Sequence, residues 1–346
     1  RGLGDVYKRQ IVGNNLTLEN GPSVALTANK TLIVRNQLVN NGTAENFTIE
    51  DNGALVQTNN VTNSGSITAH KNSNALYRLD YTMWSSPTSG TQTLGQFSPN
   101  TTETRFYEYD SRNGGSGFVE AYYHVDPATA TFAPAHSYLI RMPNADSTTN
   151  YNGGTGTLVV DGKFIGTPNN GTITRALNMN TNKYTSTGNP YPSPIGVSDF
   201  FAANSTAIDA GSGIYLWRKK NSGTTGSYAT ISNASYAFNA ENGSTTGGQV
   251  NDQYFTGVSS SEWKIAPGQG FIVKTNSTAT GNPVVTFNNG MRKNAPGSGG
   301  QSFFRVGAQN ISRYWINLAN DQGNISQFTV AYTADATTGI DYSYDA

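Results

Sequence analysis

Three prolines at every second position mark the stretch Gly188-Asn-Pro-Tyr-Pro-Ser-Pro-Ile195. Each proline lacks a backbone donor and fixes φ, so the stretch can enter neither a helix nor a central strand. It reads as a stiff corner between strands, with Tyr191-Pro192 a candidate cis bond. An echo lies about a hundred residues earlier, Trp84-Ser-Ser-Pro-Thr-Ser-Gly90, and the same motifs follow both in the same order.

After the echo come Arg105-Phe-Tyr-Glu-Tyr-Asp110, a glycine-rich turn and Phe118-Val-Glu-Ala121; after the corner come Gly213-Ile-Tyr-Leu-Trp-Arg218, a turn and Ser227-Tyr-Ala-Thr-Ile231. The clearest match sets Phe132-Ala-Pro-Ala-His-Ser-Tyr-Leu-Ile-Arg141 against Ile265-Ala-Pro-Gly-Gln-Gly-Phe-Ile-Val-Lys274. A fourth sets Thr157-Leu-Val-Val-Asp-Gly162 against Pro283-Val-Val-Thr-Phe-Asn288. Ordered self-similarity constrains architecture more than local propensity does. An Ala-Pro followed by an apolar run recurs by chance in β-rich chains; four features in one order do not. The expectation is two antiparallel β modules of the sandwich or jelly-roll kind, residues 75–176 and 177–298.

Between residues 11 and 72 short apolar triplets alternate with Asn and Gly: Leu16-Thr-Leu18, Leu32-Ile-Val34, Phe47-Thr-Ile49 and Ser66-Ile-Thr68. One triplet buries too little to fold, whereas stacked coils share a narrow core. Asn and Gly suit tight corners because they tolerate positive φ. The reading is a partial β-solenoid of successive triplets, against the alternative of an Asn/Thr-rich linker. Ser198-Asp-Phe-Phe-Ala-Ala203 is the one convincing helix signal, with Ser198 as N-cap. Residues 301–346, with Arg313-Tyr-Trp-Ile-Asn-Leu318 and Gln327-Phe-Thr-Val-Ala-Tyr332, read as a truncated hairpin-rich module. Residues 1–10 resemble a peptide from sequencing-adaptor read-through and are set aside as non-native, so the chain reads as a fragment.

Charged residues are 13% of the chain, about half the usual share, and 22 Lys and Arg balance 22 Asp and Glu. No basic block supports a nucleic-acid partner. No apolar run is long enough to span a membrane as a helix. With no cysteine, the chain has neither a disulfide framework nor a thiolate metal site.

Several residues of the corner and of the later motifs carry a resemblance. Gly188–Ile195, Pro267-Gly-Gln-Gly-Phe-Ile-Val273, Phe287-Asn-Asn-Gly-Met-Arg292 and Ala336-Thr-Thr-Gly-Ile-Asp341 together resemble large secreted or surface proteins of Bacteroidota that carry a C-terminal type IX sorting domain. The resemblance covers most of residues 11–346, although that sorting domain is absent. It implies export to the cell surface or medium, in proteins whose roles are usually unassigned and often taken as adhesive, and offers no catalytic residues.

A search for chemistry returns weak candidates. His70, His124 and His136 fit no metal-ligand spacing. No Ser-His-Asp order accompanies a nucleophile elbow. Glu108 and Asp110 share one strand face, with Tyr107 and Tyr109 on the other; paired carboxylates serve glycoside hydrolysis, but a solvated strand face is the better explanation, since any strand exposes some charge. Asp335, Asp341 and Asp345 offer oxygens for Ca²⁺, or simply end a strand in a turn. Trp84, Tyr191 and Trp263 are the candidate sugar-stacking aromatics, Trp263 being the one expected to be exposed because a Ser-rich loop precedes it. The leading reading is a non-catalytic extracellular adhesin-like protein contacting glycans or surface proteins, with no cofactor beyond possible Ca²⁺. Its rival is a carbohydrate-binding accessory region of a larger secreted polysaccharide-degrading enzyme. A third, weaker reading is a hydrolase that uses the acidic strand.

Overall fold

Apolar triplets too short to hold together alone are stacked in parallel along the first part of the chain. A computed structural model describes residues 9–145, 151, 156–209, 211–218, 227–232, 236–238, 262–296, 313–319 and 325–331. Strands β1 (Arg9–Val12), β2 (Leu16–Leu18), β3 (Val24–Leu26), β4 (Thr31–Val34), β5 (Leu38–Asn40), β6 (Phe47–Ile49), β7 (Ala54–Gln57) and β8 (Ile67–Asn72) form three parallel ladders. One ladder is β1-β4-β7, with Arg9 beside Thr31 and Thr31 beside Ala54. A second is β2-β5, extended by a bridge from Val39 to Ser64. The third is β3-β6-β8.

The expected one-triplet step is therefore corrected. Leu16–Leu18, Leu32–Val34 and Phe47–Ile49 lie on three different ladders, because each layer contributes a strand to each side. The corners repeat with the layers. Asn29 and Asn52 both take φ 65°, and the Asn29 amide donates to the Asn52 carbonyl at 2.9 Å. Asn59 Nδ2 donates to Asn36 Oδ1 at 2.6 Å. Inside, Leu18, Leu26, Val34, Leu38, Phe47, Leu55 and Ile67 make the narrow core.

The duplication appears as a repeated strand order. The first copy contains β9 (Tyr81–Trp84), β10 (Thr88–Ser89), α1 (Leu94–Phe97), β11 (Phe106–Asn113), β12 (Phe118–His124), β13 (Tyr138–Arg141) and β14 (Asp161–Pro168). The second contains β15 (Ile173–Ala176), β16 (Tyr184–Gly188), β17 (Ile195–Gly196), α2 (Val197–Asn204), β18 (Ile214–Arg218), β19 (Ser227–Ile231), β20 (Tyr236–Phe238), β21 (Lys264–Ile265), β22 (Gly270–Lys274) and β23 (Val284–Phe287). One sheet runs β12-β11-β13-β9 and the other β19-β18-β22-β16, with β20 added outside β19. All neighbours are antiparallel. Beyond them β24 (Arg313–Ala319) and β25 (Ile325–Ala331) pair as a hairpin.

Local details repeat too. The Leu94 amide donates to the Ala130 carbonyl at 2.8 Å, and the Val197 amide to the Trp263 carbonyl at 2.9 Å. After each Ala-Pro the chain turns through a left-handed residue, Ala135 at φ 59° and Gly268 at φ 72°. Each copy's leading strand pairs with its last one, β8 with β14 and β15 with β23. Strand β15, just before the boundary expected at residue 176, pairs with a strand of the second copy. The counterpart of β23 is β14, which starts later than the sequence match at Thr157–Gly162 suggests. The second helix is capped by Gly196 rather than Ser198.

The two sheets face each other across one aromatic cluster. Met83, Leu139 and Ile272 are its buried centre, with Tyr81, Tyr107, Tyr109, Tyr122, Tyr184, Tyr215, Trp217 and Tyr228 packed around. The registers place Tyr107, Tyr109 and Tyr122 where the second copy has Tyr215, Trp217 and Tyr228. The equivalent hydroxyls of Tyr122 and Tyr228 meet at 2.7 Å. Strand β11 lies against β16 and, reciprocally, β18 against β9. A surface that packs on its own equivalent is what a two-fold relation produces. Gly270 allows the approach: a Cβ there would lie 2.5 Å from Met83 Cγ and 2.6 Å from Ser137 Cβ.

Candidate functional site

The aromatic residues expected to stack on sugars are inside. Trp84 is 3% exposed, and Tyr191 and Trp263 are 0% exposed. Trp84 packs edge-on against Phe97 at 5.3 Å and Phe164 at 5.9 Å between ring centres. Trp263 sits beside the β17–β21 pair, where the first copy has Ala130, and joins the main core. The Ser-rich loop before Trp263 does not govern its side chain, which burial of a large apolar surface draws inward. None of the three offers a ring face to a sugar. Asp335, Asp341 and Asp345, the expected Ca²⁺ ligands, lie outside the described residues.

Tyr191 instead belongs to a buried polar seam. The whole corner from Asn189 to Pro194 is buried, and its peptide bonds, Tyr191-Pro192 included, are trans. Prolines leave few donors here, so the asparagine side chain ties the carbonyls together. Asn189 Nδ2 donates to the carbonyls of Ser193 at 2.9 Å, Ala266 at 3.0 Å and Ile265 at 3.2 Å. Asn189 Oδ1 accepts from the Tyr191 amide at 3.0 Å.

Arg292 closes the seam. Its Nε donates to Ser193 Oγ at 3.1 Å, one terminal nitrogen to Asn170 Oδ1 at 2.9 Å and Asn289 Oδ1 at 3.3 Å, and the other to the Leu55 carbonyl at 2.6 Å. The guanidinium lies 4.8 Å from the centre of the Tyr191 ring. Every acceptor is a neutral oxygen. Burial therefore pulls the guanidinium down to about 9, opposed by its interaction with Tyr191. Burial also pushes the Tyr191 phenol above its ordinary range, opposed by Arg292. The Tyr191 hydroxyl donates to the Gly171 carbonyl. Since the Leu55 amide in turn donates to the Pro192 carbonyl at 2.8 Å, one side chain joins the stacked ladders, the chain leaving the first copy, and the corner of the second.

A second cluster joins the copies by charge. Glu108 Oε1 lies 2.8 Å from His136 Nδ1 and 3.4 Å from a terminal nitrogen of Arg175. The three side chains are 14%, 24% and 17% exposed. They come from β11, the turn before β13, and β15. Tyr138 beside them is pushed up to about 12 by burial, with the Glu108 charge adding to the effect. Asp110, expected as the partner carboxylate, is turned instead to Arg112 at 3.1 Å. The other two histidines are separate: His70 contacts Asp161 at 2.8 Å and His124 the Glu103 carbonyl at 2.9 Å. Among the described residues no group of three His, Asp or Glu side chains is placed to hold a metal ion. The chemistry on display is strand-to-strand tying by charge and hydrogen bond.

Sequence reasoning missed Arg292 and Asn189. The available signal was a lone arginine in an Asn-Asn-Gly-Met setting, which reads as a surface turn until the fold covers it. Fold and seam together define an all-β protein in which parallel ladders are locked to a duplicated antiparallel unit. A family model described as a domain of unknown function (DUF8693) matches residues 5–346, and the chain belongs to that family. No curated protein and no solved structure matches it.

Proposed function

We propose that the chain is a non-catalytic part of an extracellular surface protein, a stiff spacer and interaction array. On this reading the three parallel ladders are turns of a β-solenoid, and the two facing sheets are a β-sandwich of two related halves. The observation carrying it is the Arg292 seam, which ties three segments of the chain through buried hydrogen bonds. A flexible tether would not need a buried cation spanning its modules. The likeness of the proline corner and the Asn-Asn-Gly-Met-Arg stretch to secreted Bacteroidota proteins supports the location.

Single-molecule stretching of the chain tests the spacer reading. The expected trace has the ladders and both sheets resisting force as one unit, with a single dominant rupture. Separate low-force events for each part would overturn it. Surface labelling of intact source cells with an antibody to residues 11–346 tests location, and staining only after lysis would refute it. Turnover of any glycan by the isolated chain would refute the non-catalytic reading.

A further inference from the structure

The two copies differ at one edge. In the second copy the outer strand β19 is covered by β20, with Ala229 beside Phe238 and Ile231 beside Tyr236, and β25 lies against β20. The covering strand comes from an insertion, residues 232–263, where the first copy has only residues 126–130. The equivalent edge of the first copy is β12, and among the described residues no strand pairs with its outer side.

The Val125 amide donates to the Phe106 carbonyl at 3.0 Å. Antiparallel pairing alternates, so the odd-numbered residues of β12 bond to β11. The main-chain groups of Phe118, Glu120, Tyr122 and His124 therefore point outward. Among the described residues only the Phe118 carbonyl is engaged there, accepting from Thr181 Oγ1 at 2.9 Å. Natural edges are guarded by charged side chains, proline, bulges or a covering loop. Strand β12, Phe-Val-Glu-Ala-Tyr-Tyr-His, has no lysine and no proline, and its register with β11 runs without a bulge. Its one carboxylate, Glu120, is already held by Asn178 Nδ2 at 2.6 Å and the Tyr184 amide at 3.0 Å. Phe118 and Val119 are 44% and 53% exposed.

From this we infer that β12 is a strand-pairing surface whose occupant is β12 of a second copy of this chain. Antiparallel self-pairing centred on Ala121 sets Glu120 against Tyr122, Val119 against Tyr123, and Phe118 against His124 of the second copy. No like charges face each other, the smallest residue lies on the axis, and every outward main-chain group except the already engaged Phe118 carbonyl meets another. The two first-copy sheets become one continuous sheet. A single strand pair is a small interface, so the dimer is weak and concentration-dependent. The inference stands or falls apart from the surface location proposed above.

Sedimentation of the whole chain over a concentration series, with amide exchange read by NMR, tests it. The expected result is a reversible dimer in which the Glu120 and Tyr122 amides gain protection while those of Ala121 and Tyr123 do not change. Ala121→Lys stays folded, because the lysine faces Asp110 across β11, but it puts two ammonium groups opposite each other in the dimer and weakens it at least tenfold. A chain monomeric at every concentration, a dimer indifferent to A121K, or a Tyr122 amide already protected in the monomer would each overturn the inference.

Discussion

Arg292→Met is the sharpest test of the seam. The variant keeps most of the side-chain volume and removes the cation with its donors. Ser193 Oγ, Asn170 Oδ1 and the Leu55 carbonyl then lose a partner around a buried side chain. Each stranded acceptor costs about 1–3 kcal/mol. Against this, removing a buried cation returns its desolvation cost, several kcal/mol. The return is limited here, because the native acceptors are already fixed around the charge. Taking one partner from a buried polar cluster destabilises by about 3–5 kcal/mol. For a cooperative unit of this size each kcal/mol moves the midpoint by about 2 °C, so Tm falls by about 6–10 °C. Differential scanning calorimetry measures that fall. Native-state hydrogen exchange adds the location, with protection lost first at the Leu55 and Lys293 amides, which donate to Pro192 and Pro194. An unchanged or raised Tm would mean that packing alone holds the three parts, and the seam argument would be wrong.

Three further outcomes are expected. Gly268→Ala forces a left-handed alanine and brings its Cβ to 3.2 Å from Phe164, so stability falls by about 1–2 kcal/mol in urea titration; no loss would contradict the geometry of that turn. Ala135→Gly stays within about 0.5 kcal/mol of wild type in the same titration, because relief of the left-handed backbone offsets the lost methyl burial; a large loss would mean that the methyl dominates. Burial raises the phenols of Tyr81, Tyr109, Tyr122, Tyr138, Tyr191, Tyr215 and Tyr228. Their contribution is complete below the unfolded value of about 10 and is lost as pH rises towards the folded values. Arg292 acts with the opposite sign: its lowered folded value costs stability below about 9 and relents above it. Seven groups outweigh one, so the chain unfolds at alkaline pH, and the phenolate absorbance of these seven appears with unfolding rather than before it. Smooth titration of all tyrosines in the folded state would refute this.

What the sequence made legible was whatever a local pattern encodes. The Ala-Pro turns gave the duplication, since a left-handed residue after proline leaves a readable mark at Ala135 and Gly268. Alternation alone sets Tyr107 and Tyr109 on the strand face opposite Glu108. The Asn-rich corners announced tight stacking, but the step was misread: triplets from three sides of one layer look alike, and only pairing assigns them to ladders. Burial of Trp263 and Arg292 was not legible, because it depends on segments far apart in sequence. Leu55 and Arg292 share a hydrogen bond that no local window contains. The pairing of Glu108 with Arg175 has the same character, since β15 reaches it only after the first copy is complete.

The differences between the copies follow one rule. Several residues at the shared face stay alike, as with Tyr107 and Tyr215 or Tyr122 and Tyr228, and the last pair meets hydroxyl to hydroxyl, so a change in one disturbs the other. Residues that meet something unrepeated diverge. Glu108 faces Arg175 from β15, whereas its counterpart Leu216 is buried in the second core. His136 reaches Glu108, whereas its counterpart Gln269 turns to its own neighbour, with Nε2 donating to the Gly270 carbonyl at 2.8 Å. Where no repeated partner exists, charge replaces apolar packing because it can fix one orientation of a strand arriving from outside the unit. The two-fold relation thus builds the body of the protein, and the departures from it are the joints. On that argument exchanging Glu108 for leucine, its second-copy counterpart, leaves the aromatic layer intact and strands Arg175. Near-ultraviolet circular dichroism of the tyrosines should be retained while stability drops by about 1–3 kcal/mol. Loss of the aromatic signal would place Glu108 in the body rather than in a joint.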